Sequence, residues 1–321
     1  MKKREKIVLM GIGGQGKKVI SAVNNMFDAD ISKIYVDNQL LKDSMKRDEM
    51  FLYIPFHLEL AAWEPEYPVR WWLHEEKNAE MIKNLLKDVN LLVVALGIGG
   101  EQTLVAKELI AFCRKNFKTM EIYVVGSLPF RNQTEYETYY LSSIMIDFLH
   151  KNSLAYTIIE NQAVLNYIWD YEMAYQMSYM YIVQILEGVL SMVYPKKKQE
   201  NDICEMQNME DIWKHPIYYL EFEMDTRKCE VPLLVNPLLP MEIMKNTGNV
   251  EIHLQGRLNN QTVRTLMQIH EAIEEQLGEM ECGYAEGTEH DSASCKIKIL
   301  GRGVEDKKKM SCRGIELFPI D

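Results

Sequence analysis

Seven of the chain's 17 glycines are gathered into two short loops: Gly11, Gly13, Gly14 and Gly16, then Gly97, Gly99 and Gly100. Each loop follows a short apolar run, Lys6 to Met10 or Asn90 to Leu96, and precedes a segment with apolar residues at helical spacing. A strand, a glycine loop and a helix, occurring twice, constrain the fold more than any other feature. Glycine lets the backbone turn sharply and come close to a ligand. The helix that follows aims free N–H groups and a positive dipole end at the loop. The pattern predicts an α/β fold with a parallel sheet whose loops can hold phosphate. The plain alternative is a pair of tight strand-to-helix turns that bind nothing.

The first loop reads Gly11-x-Gly13-x-x-Gly16, and Asp37 closes the next apolar run, Ile31 to Val36. An acid about 20 residues beyond such a loop can hold a ribose, so this half alone fits an NAD(P)-binding oxidoreductase. Such an enzyme also needs a positioned proton donor, and none of the seven histidines sits in a motif that nominates one. In the second loop, Leu96-Gly97-Ile98-Gly99-Gly100-Glu101-Gln102-Thr103, Thr103 is placed to cap the next helix or to touch a phosphate.

Beyond the loops, helical spacing predicts helices over 17–26, 78–88, 103–116, 135–152 and, longest of all, 162–194. Glu121 to Val125 and Tyr156 to Ile159 read as further buried strands. Phe51 to Trp72, with Pro55, Pro65 and Pro68, reads as irregular, and Lys196 to His215 as a polar loop. From Pro216 the texture changes. Tyr218 to Met224, Val250 to Gln255, Ser294 to Leu300 and Gly314 to Phe318 alternate like half-buried strands, and Thr262 to Leu277 reads as a helix. The expected organisation is a nucleotide-binding-type domain over 1–170, a central helix over 171–195 and a smaller α+β domain over 196–321.

A net charge of −11 disfavours nucleic acid and anionic membrane surfaces as partners. The three-lysine runs at 196–198 and 307–309 are short enough to be solvated loops. No apolar run approaches the ~18 residues of a membrane span. The opening Met-Lys-Lys-Arg-Glu-Lys reads as too short before Gly11 for a secretory signal, and the six cysteines lack metal-ligand spacing. A cytoplasmic protein with reduced thiols and no bound structural metal is expected.

The order of segments resembles the tubulin/FtsZ superfamily over nearly the whole chain. KIVLMGIGGQGKKV, from Lys6 to Val19, is similar to the family's first strand and phosphate loop. DVNLLVVALGIGG, from Asp88 to Gly100, is similar to the strand entering its GGGTGTG-type loop. VVGSLPF (124–130), IIENQAVL (158–165), the helix from Ala174 through Gly188, IHLQG (252–256) and the 283–304 segment follow in the family's order. The resemblance implies a Rossmann-like GTPase domain, a central helix and an α+β domain. It implies phosphate contacts at Gly13, Gly14, Gly16, Gly97, Gly99, Gly100 and Thr103, and ribose or base contacts at Gln133, Asn161, Tyr175 and Tyr179. GTP or GDP is the implied ligand, Mg2+ an implied companion. A second copy in head-to-tail register, or a related filament protein, is the implied partner.

Departures from the pattern bear on hydrolysis and base choice. Glu101 and Gln102 stand where the family loop has its Thr-Gly part, and a carboxylate beside a phosphate repels it unless a cation intervenes. No glycine-rich third loop occurs between Met50 and Trp72. Glu137 replaces the family's ribose-binding Arg, and Tyr179 replaces the residue that reads the guanine edge. The N-x-D-x-x-D loop that positions the attacking water is absent, which leaves Glu210 and Asp211 as the nearest carboxylates. The expectation is a divergent FtsZ-like nucleotide binder with weak or no GTP hydrolysis that acts through self-association. A scaffold of the same fold that binds no nucleotide is the other reading.

Overall fold

The structure is a computed structural model that describes residues 4–24, 27–38, 49–54, 67–130, 136–166, 168, 170–194, 209–225, 247–255, 260–277, 281–287 and 294–303. Its first part runs β1 (Glu5–Ile12), α1 (Gly13–Ala22), β2 (Ala29–Asp37), β3 (Glu49–Tyr53), α2 (Tyr67–His74), α3 (Glu76–Leu85), β4 (Leu91–Gly97), α4 (Gln102–Asn116), β5 (Glu121–Leu128), α5 (Tyr136–Lys151), β6 (Ala155–Glu160) and α6 (Asn161–Leu165). The long helix α7 (Tyr171–Val193) follows. Then come a 3-10 helix (Met209–Lys214), β7 (Ile217–Asp225), β8 (Thr247–Gln255), α8 (Asn260–Leu277), β9 (Glu281–Gly287) and β10 (Ser294–Gly303).

β1 to β6 form one parallel sheet in the order β3-β2-β1-β4-β5-β6. Parallel strands need helical crossovers, so both faces are covered and the central strands are apolar throughout. Alternation then divides each strand between two cores. Val8, Met10, Leu92 and Val94 join the core beneath α2 to α5. Ile7, Leu9, Leu91 and Val93 join the core beneath α1 and α7.

That second core is continuous with the smaller sheet, whose order is β7-β10-β8-β9. Ile182, Leu186 and Val189 of α7 pack in the same cluster as Ile252, Ile297 and Ile299 of the smaller sheet and Ile269 and Ile273 of α8. Gly188 marks a close approach: a Cβ there would overlap the ring of Tyr219 on β7. The Thr157 hydroxyl of β6 donates to the Ile217 carbonyl at 2.8 Å, and Tyr156 bridges Pro216, so β7 begins on the edge of the first sheet.

Four expectations need correction. The helix expected over 162–194 is two helices, and the Asp170 carboxylate caps α7 by accepting from the Met173 N–H at 2.8 Å. The stretch expected to be irregular overlaps the end of β3 and most of α2, with Pro68 in the first turn of α2, where its missing N–H leaves no partner unpaired. The polar loop after α7 contains the 3-10 helix, whose Ile212 and Trp213 are buried. β9 has no counterpart in the alternation reading. The strand expected over 314–318 lies outside the described residues.

Candidate functional site

Strand order in the large sheet reverses between β1 and β4: from β1 the chain winds outward to β2 and β3, then returns to β4 and winds the other way. At such a reversal the two crossovers part on opposite faces and leave a crevice beyond the carboxyl ends of the strands. Both glycine loops are here. β1 runs directly into α1 at Gly13, while β4 turns through Ile98–Glu101 into α4. Ile12 and Leu96 are paired across the two strands, so the loops lie side by side.

The glycines serve separate purposes. A Cβ on Gly16 would overlap the Ala95 carbonyl, and one on Gly11 would come 2.5 Å from the Gly16 carbonyl oxygen. These two let α1 lie close against β1 and β4. Gly13 and Gly99 have φ of +68° and +104°, a region that side chains disfavour. Gly14 and Gly100 are exposed, and a Cβ on either would meet open space. Of the expected phosphate contacts, these two have room for a ligand beside the bare backbone.

Thr103 sits inside the first turn of α4 and is not its cap, which is Glu101. Its side chain is buried, and its hydroxyl oxygen accepts from the Gly99 N–H at 2.9 Å, which braces the loop. Gln15 reaches across the crevice: its amide donates to the Ser127 hydroxyl at 2.6 Å, and its oxygen lies 2.5 Å from where a Gly97 Cβ would stand. Gln102 reaches the other way, with its Cγ 2.8 Å from the corresponding Gly13 position.

Asp37 ends β2 beside this crevice, yet its carboxylate is engaged. It is buried, pairs with the Lys17 ammonium of α1 and accepts from the Asn38 N–H at 2.8 Å. No local sequence pattern points to the Lys17–Asp37 pair, because it joins a helix to the strand after it.

Of the expected base and ribose residues, Asn161 and Tyr175 lie along the same edge, beyond β5. Asn161 opens α6 at the end of β6. It is 1% exposed, and its Oδ1 has no hydrogen-bond partner in the structure. The Phe130 ring, just past β5, is buried between two tyrosines of α7, edge-on to Tyr171 at 5.1 Å and to Tyr175 at 4.6 Å. Tyr175 remains 39% exposed, and partial burial raises its hydroxyl pKa. Tyr179, one turn on, is packed against the main core. Gln133 lies outside the described residues, as do 55–66, where a third loop would fall.

Glu210 and Asp211 belong to the 3-10 helix, which packs under the amino-terminal half of β5 and β6: the Trp213 ring is 5.5 Å from that of Tyr123. Tyr123 is five residues before Leu128, about 16 Å along the strand. This segment therefore lies at the opposite end of the strands from the chain's own glycine loops. Among the described residues, no group of three His, Cys, Asp or Glu side chains is gathered as a metal site, and no helix is long and apolar enough to cross a membrane.

No protein-family model matches the sequence, and no characterised protein matches it by sequence. Solved structures do match. An FtsZ dimer from M. jannaschii aligns with 95% of this chain and 89% of its own, at a TM-score of 0.66 and 14% identity. CetZ2 from Haloferax volcanii, in a GTPγS-bound protofilament, aligns over 94% of each chain, at 0.67 and 14%. TubZ from Bacillus thuringiensis serovar israelensis, in GDP-form protofilaments, covers 98% of this chain and 89% of its own, at 0.70 and 13%. The chain has the tubulin/FtsZ fold.

Proposed function

We propose that this chain binds a guanine nucleotide across the carboxyl edge of its large sheet and acts by head-to-tail self-association, with weak or no GTP hydrolysis. The observation that carries this reading is the meeting of two glycine loops at the reversal of strand order, with Gly14 and Gly100 left open beside the start of a helix. A phosphate there would be met by backbone N–H groups and by the positive ends of α1 and α4. Asn161 fits the same ligand: its buried, unpartnered Oδ1 needs a donor, and a ribose hydroxyl or a base N–H supplies one. Tyr175 would stack on the base. Gly13, Gly16, Gly97 and Gly99 would shape the cradle, while Thr103 and Tyr179 would support it from inside. Mg2+ would be held chiefly by the phosphates and water, as is usual for this ion beside a phosphate chain.

The nucleotide domain spans 1–170, the central helix 171–195 and the second domain 196–321, and the chain works in the cytoplasm. Glu210 and Asp211, remote from the chain's own crevice, would approach the crevice of the next copy, or of a related filament protein, in a head-to-tail stack. Without the N-x-D-x-x-D pattern they would position water poorly. The dinucleotide reading is weaker, because a ribose approaching Asp37 would have to displace Lys17.

Equilibrium binding with GTP, GDP, ATP and NADH, followed by sedimentation with the ligand that binds, tests the proposal. Guanine nucleotide binding with nucleotide-dependent sedimentation is expected. Silence with every ligand favours a scaffold that binds none, and brisk GTP turnover sinks the claim of weak hydrolysis.

A further inference from the structure

Space between the two glycine loops is partly taken by the chain's own side chains. Gln15, from the first loop, is held against the second: Ser127 fixes its amide at 2.6 Å, and the bare Gly97 accommodates its oxygen. Gln102, the first residue of α4, comes back against Gly13, its Cγ 2.8 Å from where a Cβ would stand. It thereby lies between the starts of α1 and α4. The two glutamines differ in how they are secured. Gln15 has a hydrogen-bond partner, whereas the Gln102 Oε1 is shut off from solvent and has none. A buried acceptor without a donor is unfavourable, so packing alone retains that end of the arm.

We infer that Gln102 selects the ligand by phosphate number and favours a nucleoside diphosphate over the triphosphate. The inference rests on the phosphate-cradle reading above. Gly14 and Gly100 form the open rim, and a short phosphate chain can lie against them without disturbing Gln102. With the base at Tyr175 and the ribose near Asn161, the chain of phosphates runs along the strand ends from β5 past β4 towards β1. An added phosphate extends it into the gap that the Gln102 arm occupies. That phosphate must expel the arm before it can reach the space beside Gly13, because the Gln102 Cγ already stands 2.8 Å from the Cβ position there. Glu101, the preceding residue, adds a carboxylate at the same loop.

The test is calorimetric titration of the full chain with GDP and with GTPγS at fixed salt and Mg2+, in wild type, Gln102→Ala and Gln102→Glu. Thermal melts establish that each variant folds. In wild type, GDP is expected to bind about tenfold or more tighter than GTPγS, and Gln102→Ala to reduce that preference about tenfold. Gln102→Glu, of similar size but charged, is expected to widen it. If Gln102→Ala alone binds GTPγS, the inference is supported. A preference that stays within about twofold across the three proteins, or a wild type that prefers GTPγS, overturns the inference and leaves the nucleotide reading standing. No binding of either nucleotide by any of the three overturns both.

Discussion

The two glycine loops end adjacent strands and begin two helices, yet they are built differently. In the first, β1 passes straight into α1. Gly11 and Gly16 are bare because the backbones of β1, α1 and β4 touch there. In the second, four residues separate strand from helix, and a side chain does the holding: the Thr103 hydroxyl braces the Gly99 N–H. One loop is fixed by backbone packing, the other by a buried hydrogen bond. Each leaves one glycine open, Gly14 or Gly100. A glycine count therefore measures neither packing nor binding, because both uses occur within a few residues of each other.

The contrast can be broken by substitution. Gly16→Ala is expected to have the largest effect, a loss of about 3 kcal/mol or more, because its Cβ meets a main-chain carbonyl that cannot turn aside. The urea midpoint reads this directly, and a midpoint near wild type means that the first loop is not packed as described. Thr103→Val comes next. It removes the acceptor for the Gly99 N–H and is expected to cost about 1–3 kcal/mol, with Thr103→Ser recovering much of it. Equal midpoints for the two Thr103 variants would remove the hydroxyl from the account.

Gly14→Ala and Gly100→Ala sharpen the comparison from the other side. Their Cβ atoms meet open space, so stability should change by no more than about 0.5 kcal/mol. Nucleotide affinity should fall about tenfold, since a methyl group would stand where a phosphate approaches the backbone. Stability losses as large as that of Gly16→Ala would erase the distinction between open and packed glycines.

The smallest effect belongs to a site outside both loops. His150, at the end of α5, has its Nε2 3.0 Å from the Tyr156 hydroxyl, and burial lowers its pKa from 6.5. The unfolded chain therefore takes up this proton first as pH falls. Stability is fully present above the unfolded pKa and declines on acidification towards the lower folded value. His150→Asn should flatten the melting temperature slightly between about pH 7 and 5. A slope unchanged by the substitution would show that His150 does not contribute to it.

The central strands were legible, as were the edge strands β6 and β7, whereas the edge strands β3 and β9 were not. β1 and β4 are buried on both faces, so their sequences are apolar throughout and announce themselves. β3 and β9 lie at sheet edges, each with one neighbour, and backbone pairing holds Glu49–Tyr53 and Glu281–Gly287 without a strong side-chain pattern. The break between α6 and α7 was hidden for a similar reason. Apolar residues keep a helical period on both sides, and only the Asp170 cap shows where α7 begins. In the site, Gly13, Gly14, Gly99 and Gly100 could be nominated because glycine's freedom is a local property. The arms of Gln15 and Gln102 could not, because each depends on a partner loop far away in sequence.

By itself, the sequence determined that two strand–glycine–helix units exist, that the chain continues through a long helix into a different α+β texture, and that the water-positioning motif is missing. Those are matters of local pattern and residue identity. Tertiary structure alone decided that the two loops meet at a reversal of strand order, that Lys17 occupies Asp37, and that Glu210 and Asp211 stand at the far end of the strands. It also decided which glycines are open and which are packed. Each of these depends on which strands become neighbours, and long-range pairing leaves no mark within a short stretch of sequence.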